Sequence, residues 1–295
     1  MSSAGLLTVS ARLGDGQLHD LRVSLQRPPV TVLFHRQIPE AVVKAVPYLF
    51  SLCAHAQRAA AQAALAAAED HERRPVDDAE LWAEMLHESL WRLLLDWPPA
   101  LGLPDARDTF VDWRAARGSE NFRERTQAAL KAARCQAAAC LVRLDDLGVQ
   151  PEPQLAPDAW LDYWQGNSDQ RPAPLPPPSV AAACRRRLAE AEMAASAIVA
   201  GAPYPVAAAG GKGWGIGQTL TARGVLTHAA HVDEGRIVNY KVWAPTDALF
   251  ADATALAGLL GDERHASPAA ARQALNRAVL ALDPCLPYTL ELEDA

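Results

Sequence analysis

A proline near the C-terminus limits how this chain can end. Ser267-Pro268 opens a helix, with a hydroxyl to cap it and a proline whose missing N–H costs nothing at the first helical position. Leu275, Val279 and Leu282 then recur at helical spacing. The helix must stop at Asp283-Pro284-Cys285, because the Pro284 ring drives the residue before it out of the right-handed α region. Cys285 is thereby presented just past a helix end. On this stretch alone the plainest reading is a small apolar side chain tucked under the last turn. A second thiol, Cys53, and a hairpin between the two open another.

The 295 residues suffice for one large domain or two ordinary ones, and half of them are apolar, a globular composition. A formal charge of −7 argues against a nucleic-acid partner, which would want a basic stripe. No apolar run is long enough to span a bilayer, and residues 1–5 do not read as a secretory leader, so a cytoplasmic chain without membrane contact is expected. Five cysteines without regular spacing make no disulfide framework. Thiols that stay reduced can ligate a soft metal.

Residues 6–13 and 18–25 are β-prone and joined by Gly14-Asp15-Gly16; Val30 to Phe34 offers a third strand, for an antiparallel meander over 5–34. After a short helical stretch, Pro47 suits a first helical position, and residues 48–69 predict an alanine-rich helix. Leu49, Cys53, Ala56 and Ala60 would then share one stripe, with Cys53 near the positive helix end, where a thiol's pKa falls. A packed core cysteine is the equal alternative. Asp77 with Glu80 starts an amphipathic helix over residues 81–96, stopped by Trp97-Pro98-Pro99; residues 101–116 read as irregular. Ser119 is expected to cap a helix running to Leu147-Gly148, in which Cys135 and Cys140 point different ways. Residues 151–178 form a proline-rich connection with Trp160, Tyr163 and Trp164 packed in it, and Val180–Ala200 is a helix stopped by Gly201, its Arg185-Arg186-Arg187 a solvated face. Trp82, Trp91 and Trp97 are expected in or beside the helical core.

The glycine-rich run from Gly210 to Gly217 lacks both phosphate-loop patterns and reads as flexible or tightly turning backbone. Residues 219–232 and 236–243 predict a strand pair around Asp233-Glu234-Gly235. His228 and His231, three apart in a strand, would face opposite sides and cannot share a metal.

Several segments together resemble the large subunit of [NiFe] hydrogenases. Ala222-Arg223-Gly224-Val225-Leu226-Thr227-His228, Ile237-Val238-Asn239-Tyr240 and Pro245-Thr246 are similar to its hairpin region. Pro47-Tyr48-Leu49-Phe50-Ser51-Leu52-Cys53 resembles its first Cys-x-x-Cys motif with Phe50 at the first cysteine. Asp283-Pro284-Cys285-Leu286-Pro287-Tyr288 resembles its second, with Tyr288 at the last. The segment from Phe34 to Glu40 is similar to its Arg-Gly-x-Glu element. In that family four cysteines hold nickel and an iron carrying cyanide and carbon monoxide; here two of the four remain, Cys53 and Cys285. The acidic residue before its Arg-Gly segment falls on Leu220, and two expected histidines fall on Gln57 and Glu291. The resemblance implies that Arg223 and Thr246, beside Pro245, sit where that family holds cyanide ligands.

This retention of iron's surroundings without nickel's resembles the HupK/HoxV-type hydrogenase maturation proteins. The resemblance implies a non-catalytic scaffold that transiently holds an Fe(CN)2(CO) fragment through Cys53 and Cys285, with no nickel, and with His55 and His228 as supporting side chains. Its implied partners are small HypC-type maturation chaperones, the complex that builds the iron fragment, and the hydrogenase large subunit precursor. The alternative is a metal-free docking or structural module. An enzyme would need a base or nucleophile, for which His55 is the only local candidate. The expected fold is α+β and mainly helical, a single large-subunit-like domain over 1–295. It would comprise the meander at 5–34, a helical core at 40–200 bundled from 48–69, 119–147 and 180–200, a hairpin at 219–243, and the terminal helix and Asp-Pro-Cys motif at 268–295.

Overall fold

The computed structural model describes residues 5–144 and 148–294, so the leader reading of residues 1–4 lies outside the described residues. The helix expected to run to Leu147 ends at Leu141, followed by a turn at residues 142–144. Alternation in β1 (Leu6–Gly14) turns Leu7, Val9 and Ala11 inward. Asp15 and Gly16, both at positive φ, return the chain into β2 (Gln17–Gln26), antiparallel to β1. The expected third strand is instead a 3-10 turn, Val30–Phe34. Pro28 and Pro29 have no N–H to offer a ladder, and the Val30 N–H bonds back to the Pro28 carbonyl at 2.8 Å. The free edge of β1 is taken by the C-terminal strand β7 (Tyr288–Asp294), parallel, with Leu7 opposite Tyr288. The sheet is therefore mixed, and it ties the two ends of the chain together.

Pro47 does not open a helix. It lies in the last turn of α1 (Pro39–Leu49), from which it withholds one N–H, and the helix unwinds at Phe50. A 3-10 turn, Ser51–Cys53, leads into α2 (Ala54–Ala68), with Cys53 as its N-cap residue. Leu49 and Cys53 thus stand off the stripe that carries Ala56 and Ala60. Next come α3 (Asp78–Trp91), capped by Asp77 accepting the Glu80 N–H at 3.1 Å, a π turn at Arg92–Asp96, and α4 (Trp97–Ala100). Pro98 and Pro99 continue the helix rather than stop it, because each falls where no N–H is needed. The stretch read as irregular contains α5 (Arg107–Ala115), which buries Phe110 and Trp113. Ser119 donates to the Ala116 carbonyl instead of capping, and α6 (Phe122–Leu141) begins later. Within the proline-rich connection, α7 (Pro157–Trp164) sets Trp160 4.7 Å from Trp243 between ring centres. Ser179 and left-handed Gly201 bound α8 (Val180–Ala200) as expected.

The helical core joins α3, α6 and α8, while α2 lies on a sheet. That sheet runs β3 (Val206–Gly211), β4 (Trp214–Thr221), β5 (Gly224–Asp233) and β6 (Arg236–Trp243), antiparallel and in chain order. Residues 219–232 are not one strand, since the chain reverses at Ala222-Arg223. The glycine-rich run turns at Lys212-Gly213, but Gly215 and Gly217 have a different reason. A Cβ on either would overlap α2 backbone, at Ala64 and Ala60 respectively. Those glycines let helix and sheet approach closely. α9 (Pro245–Leu249), α10 (Thr254–Leu260) and α11 (Pro268–Leu282) complete the chain, α11 capped by Ser267. Trp82 and Trp97 are buried, whereas Trp91 stands at the rim, 38% exposed. About half of the residues are helical. Among the described residues no helix is long and apolar enough to cross a membrane.

Gly217→Ala should destabilise the fold by about 1–3 kcal/mol through overpacking. Gly258→Ala, on α10 with open space around it, should gain about 0.5–1 kcal/mol. Urea titration of the two variants checks both signs.

Candidate functional site

The site begins at the end of α11. Asp283 takes a left-handed conformation, φ 49°, and turns its carboxylate inward, where it is 4% exposed. It accepts hydrogen bonds from Arg92 Nε and Arg187 Nη2, both at 2.6 Å, and Arg223 Nε stands 3.6 Å away. Arg223 is fixed further by Glu88 at 2.7 Å, and Arg187 by Glu190 at 2.9 Å and the Ala222 carbonyl. Burial alone would raise the Asp283 carboxyl, but Arg223, Arg92 and Arg187 hold it well below the usual carboxylate range. Arg187, expected on a solvated face, is buried in this network.

Two residues on, Cys285 meets the rest of the chain. Its Sγ accepts from Arg27 Nη2 at 2.9 Å and Thr246 Oγ1 at 3.3 Å, and its N–H donates to Thr246 Oγ1 at 3.2 Å. Arg27 is itself paired with Asp247 at 2.9 Å. A cavity of about 360 Å³ is lined by both Cys53 and Cys285, together with Arg223, Thr246, Pro245 and Gln57. The five residues singled out in the sequence for ligand or donor roles thus meet in one place. Phe50 also lines the cavity; Tyr288 does not, its hydroxyl held by Asn276 at 2.8 Å.

His55 does not belong to the site. Its ring lies 3.7 Å from Glu80 and outside the cavity lining. His228 is fully buried behind the wall and touches Gln57, not a thiol. Its strand neighbour His231 stacks on Trp214 instead, as the alternation required. Glu40, in the segment matched to the Arg-Gly-x-Glu element, sits on the first turn of α1, beside a separate depression.

The Cys53 thiol is not activated by the helix end. It is pushed up to about 12, by burial first and then by Cys285 and Glu84, with Arg223 and Gln57 opposing. Glu84 explains why the helix end fails to help. Its carboxylate accepts the first free N–H groups of α2, from His55 at 2.8 Å and Ala56 at 3.0 Å, and so cancels the positive end before the sulfur feels it. Burial raises Glu84 in turn to about 7, against those two hydrogen bonds.

Arg27, Glu84, Glu88, Arg187 and Asp283 were illegible as site residues because their partners lie far off in sequence. Only Asp283 carried a signal, its place before Pro284 at a helix end. Among the described residues no group of three or more His, Cys, Asp or Glu side chains is placed to hold a metal. Two thiols remain as soft donors. Beside them Arg223, its side chain 4% exposed, leaves Nη1 without a hydrogen-bond partner. A buried cation with an unused N–H suits an anionic or acceptor-bearing ligand.

No family model matches the chain. It is 30% identical to the hydrogenase expression/formation protein HupK of Azotobacter vinelandii, an alignment spanning 99% of this chain and 100% of the relative. It is also 30% identical to the hydrogenase expression/formation protein HupV of Azotobacter chroococcum mcd 1, over 98% and 99%. Among solved structures it is similar to the Ni-Fe-Se hydrogenase of Desulfovibrio vulgaris Hildenborough in the reduced state (TM-score 0.59, 13% identity) and to an NAD+-reducing [NiFe]-hydrogenase in the H2-reduced state (TM-score 0.56, 13% identity). Each covers 92% of this chain and 94% of the other. At that identity the likeness speaks for the fold.

Asp283→Asn should destabilise the protein by about 3–5 kcal/mol, since it leaves three guanidinium groups under-compensated in the interior; chemical unfolding at neutral pH measures this. Glu84 supplies a pH test. Its folded value of about 7 lies above the ordinary 4.5, so its contribution to stability is complete below the ordinary value and is lost as pH rises through about 7. Glu84→Gln should therefore flatten the decline of the urea midpoint across that window.

Proposed function

The chain belongs to the HupK/HupV family of hydrogenase expression/formation proteins, and from that premise we propose that it is a carrier in hydrogenase maturation. Its cargo is the Fe(CN)2(CO) fragment, held in transit between Cys53 and Cys285 and passed to the hydrogenase large subunit precursor. One observation carries this reading: two thiols, 232 positions apart by their numbers, 53 and 285, line one cavity with a buried arginine whose Nη1 is unused.

The side chains divide the work. Cys53 and Cys285 are the soft ligands, and each must give up its proton as it binds iron. Arg223 offers Nη1 to an anionic diatomic end, its guanidinium held by Glu88 and beside Asp283. Thr246 donates to the Cys285 sulfur and shares the cavity wall with Pro245. Nickel has no place in this reading, because the sequence positions of the family's other two motif cysteines are taken by Phe50, which lines the cavity, and Tyr288, which lies outside it. The role is non-catalytic and cytoplasmic. Small HypC-type chaperones and the complex that builds the fragment are the donors. Resemblance in fold to hydrogenase large subunits supports a partner surface that treats the carrier as such a subunit.

Protein co-expressed with the maturation machinery should show cyanide and carbonyl infrared stretches that disappear in Cys53→Ala/Cys285→Ala. A wild-type spectrum without them, together with normal hydrogenase maturation in a strain carrying the double substitution, would leave a metal-free docking module in the carrier's place.

A further inference from the structure

Three polar side chains sit in the otherwise apolar layer between α2 and its sheet. Gln57, His228 and Tyr240 are 3%, 0% and 5% exposed, and come from α2, β5 and β6. Burying them is costly unless each group is satisfied, and they satisfy one another in a row. His228 Nε2 lies 2.8 Å from Gln57 Oε1, and His228 Nδ1 lies 2.6 Å from the Tyr240 hydroxyl. An amide oxygen can only accept, so Nε2 must carry the proton. The imidazole is neutral, since burial lowers it to about 3, so Nδ1 has a lone pair and the Tyr240 hydroxyl donates to it. Phe34 packs edge-on against Tyr240, ring centres 5.0 Å apart, and closes the far end of the row.

The row therefore has a direction. It begins at a phenol sealed in the core and ends at the Gln57 amide nitrogen, which donates to Cys53 Sγ at 3.5 Å on the cavity wall. We propose that Gln57 is a positioning residue of this cavity, turned N–H-first toward Cys53 and its cargo by the buried Tyr240–His228 pair. Were the amide free to flip, its oxygen could accept from the protonated thiol but would repel the thiolate that a metal needs. Held as it is, the nitrogen end cannot ligate a soft metal, because an amide nitrogen has no available lone pair. It can donate to the sulfur or to an acceptor atom on a bound diatomic ligand. The wall beside Cys53 is in this way specified as donor only, complementing Arg223 on the same cavity. The inference rests on the carrier reading for the identity of the cargo, though not for the row itself.

Two measurements on the full-length protein test it without cargo. Long-range 1H–15N correlation on labelled protein should show His228 as the neutral Nε2–H tautomer between pH 5 and pH 8. The Nδ1–H tautomer, or an imidazolium in that range, overturns the assignment. Iodoacetamide labelling with peptide mapping should give a ratio of Cys53 to Cys285 modification that falls about two- to tenfold in Gln57→Leu, the worth of one lost hydrogen bond to the sulfur. The ratio should fall in the same direction in His228→Phe and in the milder Tyr240→Phe. An unchanged ratio in Gln57→Leu and Tyr240→Phe overturns the positioning role, since a merely structural role would not separate the two thiols. A negative result leaves the carrier reading standing, and missing diatomic bands leave the row standing.

Discussion

Asp283 holds this structure together at the point where its three parts meet. Arg92 comes from the turn after α3, Arg187 from α8 and Arg223 from the reversal between β4 and β5, and all three converge on one carboxylate at the end of α11. A non-glycine residue in the left-handed region costs about 1–2 kcal/mol, and a buried ion costs several more. Both costs are met only because each guanidinium has a further acidic or carbonyl partner, in Asp96, Glu190, Ala222 and Glu88. The result is geometric. The turn at Asp283 aims Pro284-Cys285 at the cavity and then releases the chain into β7, where it seals the N-terminal sheet.

That arrangement makes the two thiols unequal. Cys285 receives a guanidinium and a hydroxyl from separate segments, while Cys53 receives one long amide hydrogen bond and lies against Glu84. Under the carrier reading proposed above, two anchors with such different hydrogen-bond surroundings would hold a cargo unequally, one through two donors and the other through a single long one. The mixture also explains why the helix macrodipole, a reasonable guide to an isolated thiol, misleads here: a carboxylate already occupies the N–H groups through which it would act.

The fold is similar to that of [NiFe] hydrogenase large subunits. What keeps the fold is packing. Gly215 and Gly217 bring α2 against β4, and α2 carries the Cys53 end of the site on that platform. The same layer houses Gln57, His228 and Tyr240, so the platform that positions the thiol also positions its donor.

Local chemistry determined a good deal. The ends of α8 and α11, the cap at Asp77, the β1–β2 turn and the opposite facing of His228 and His231 follow from capping, proline and alternation rules that act over a few residues. Cys53, Cys285, Arg223, Pro245 and Thr246 were legible through family resemblance, and they meet in one cavity. Other features depended on distant partners. The edge of β1 is taken by β7, which comes from far along the chain, whereas Val30–Phe34 turns for the local reason that Pro28 and Pro29 bring no ladder N–H. Residues 219–232 reverse because the Ala222 carbonyl and Arg223 are gripped by side chains from α3 and α8. Arg187 is buried and Cys53 is raised, not lowered, for a related reason. Charge and burial depend on neighbours in space, and a sequence pattern records only neighbours along the chain.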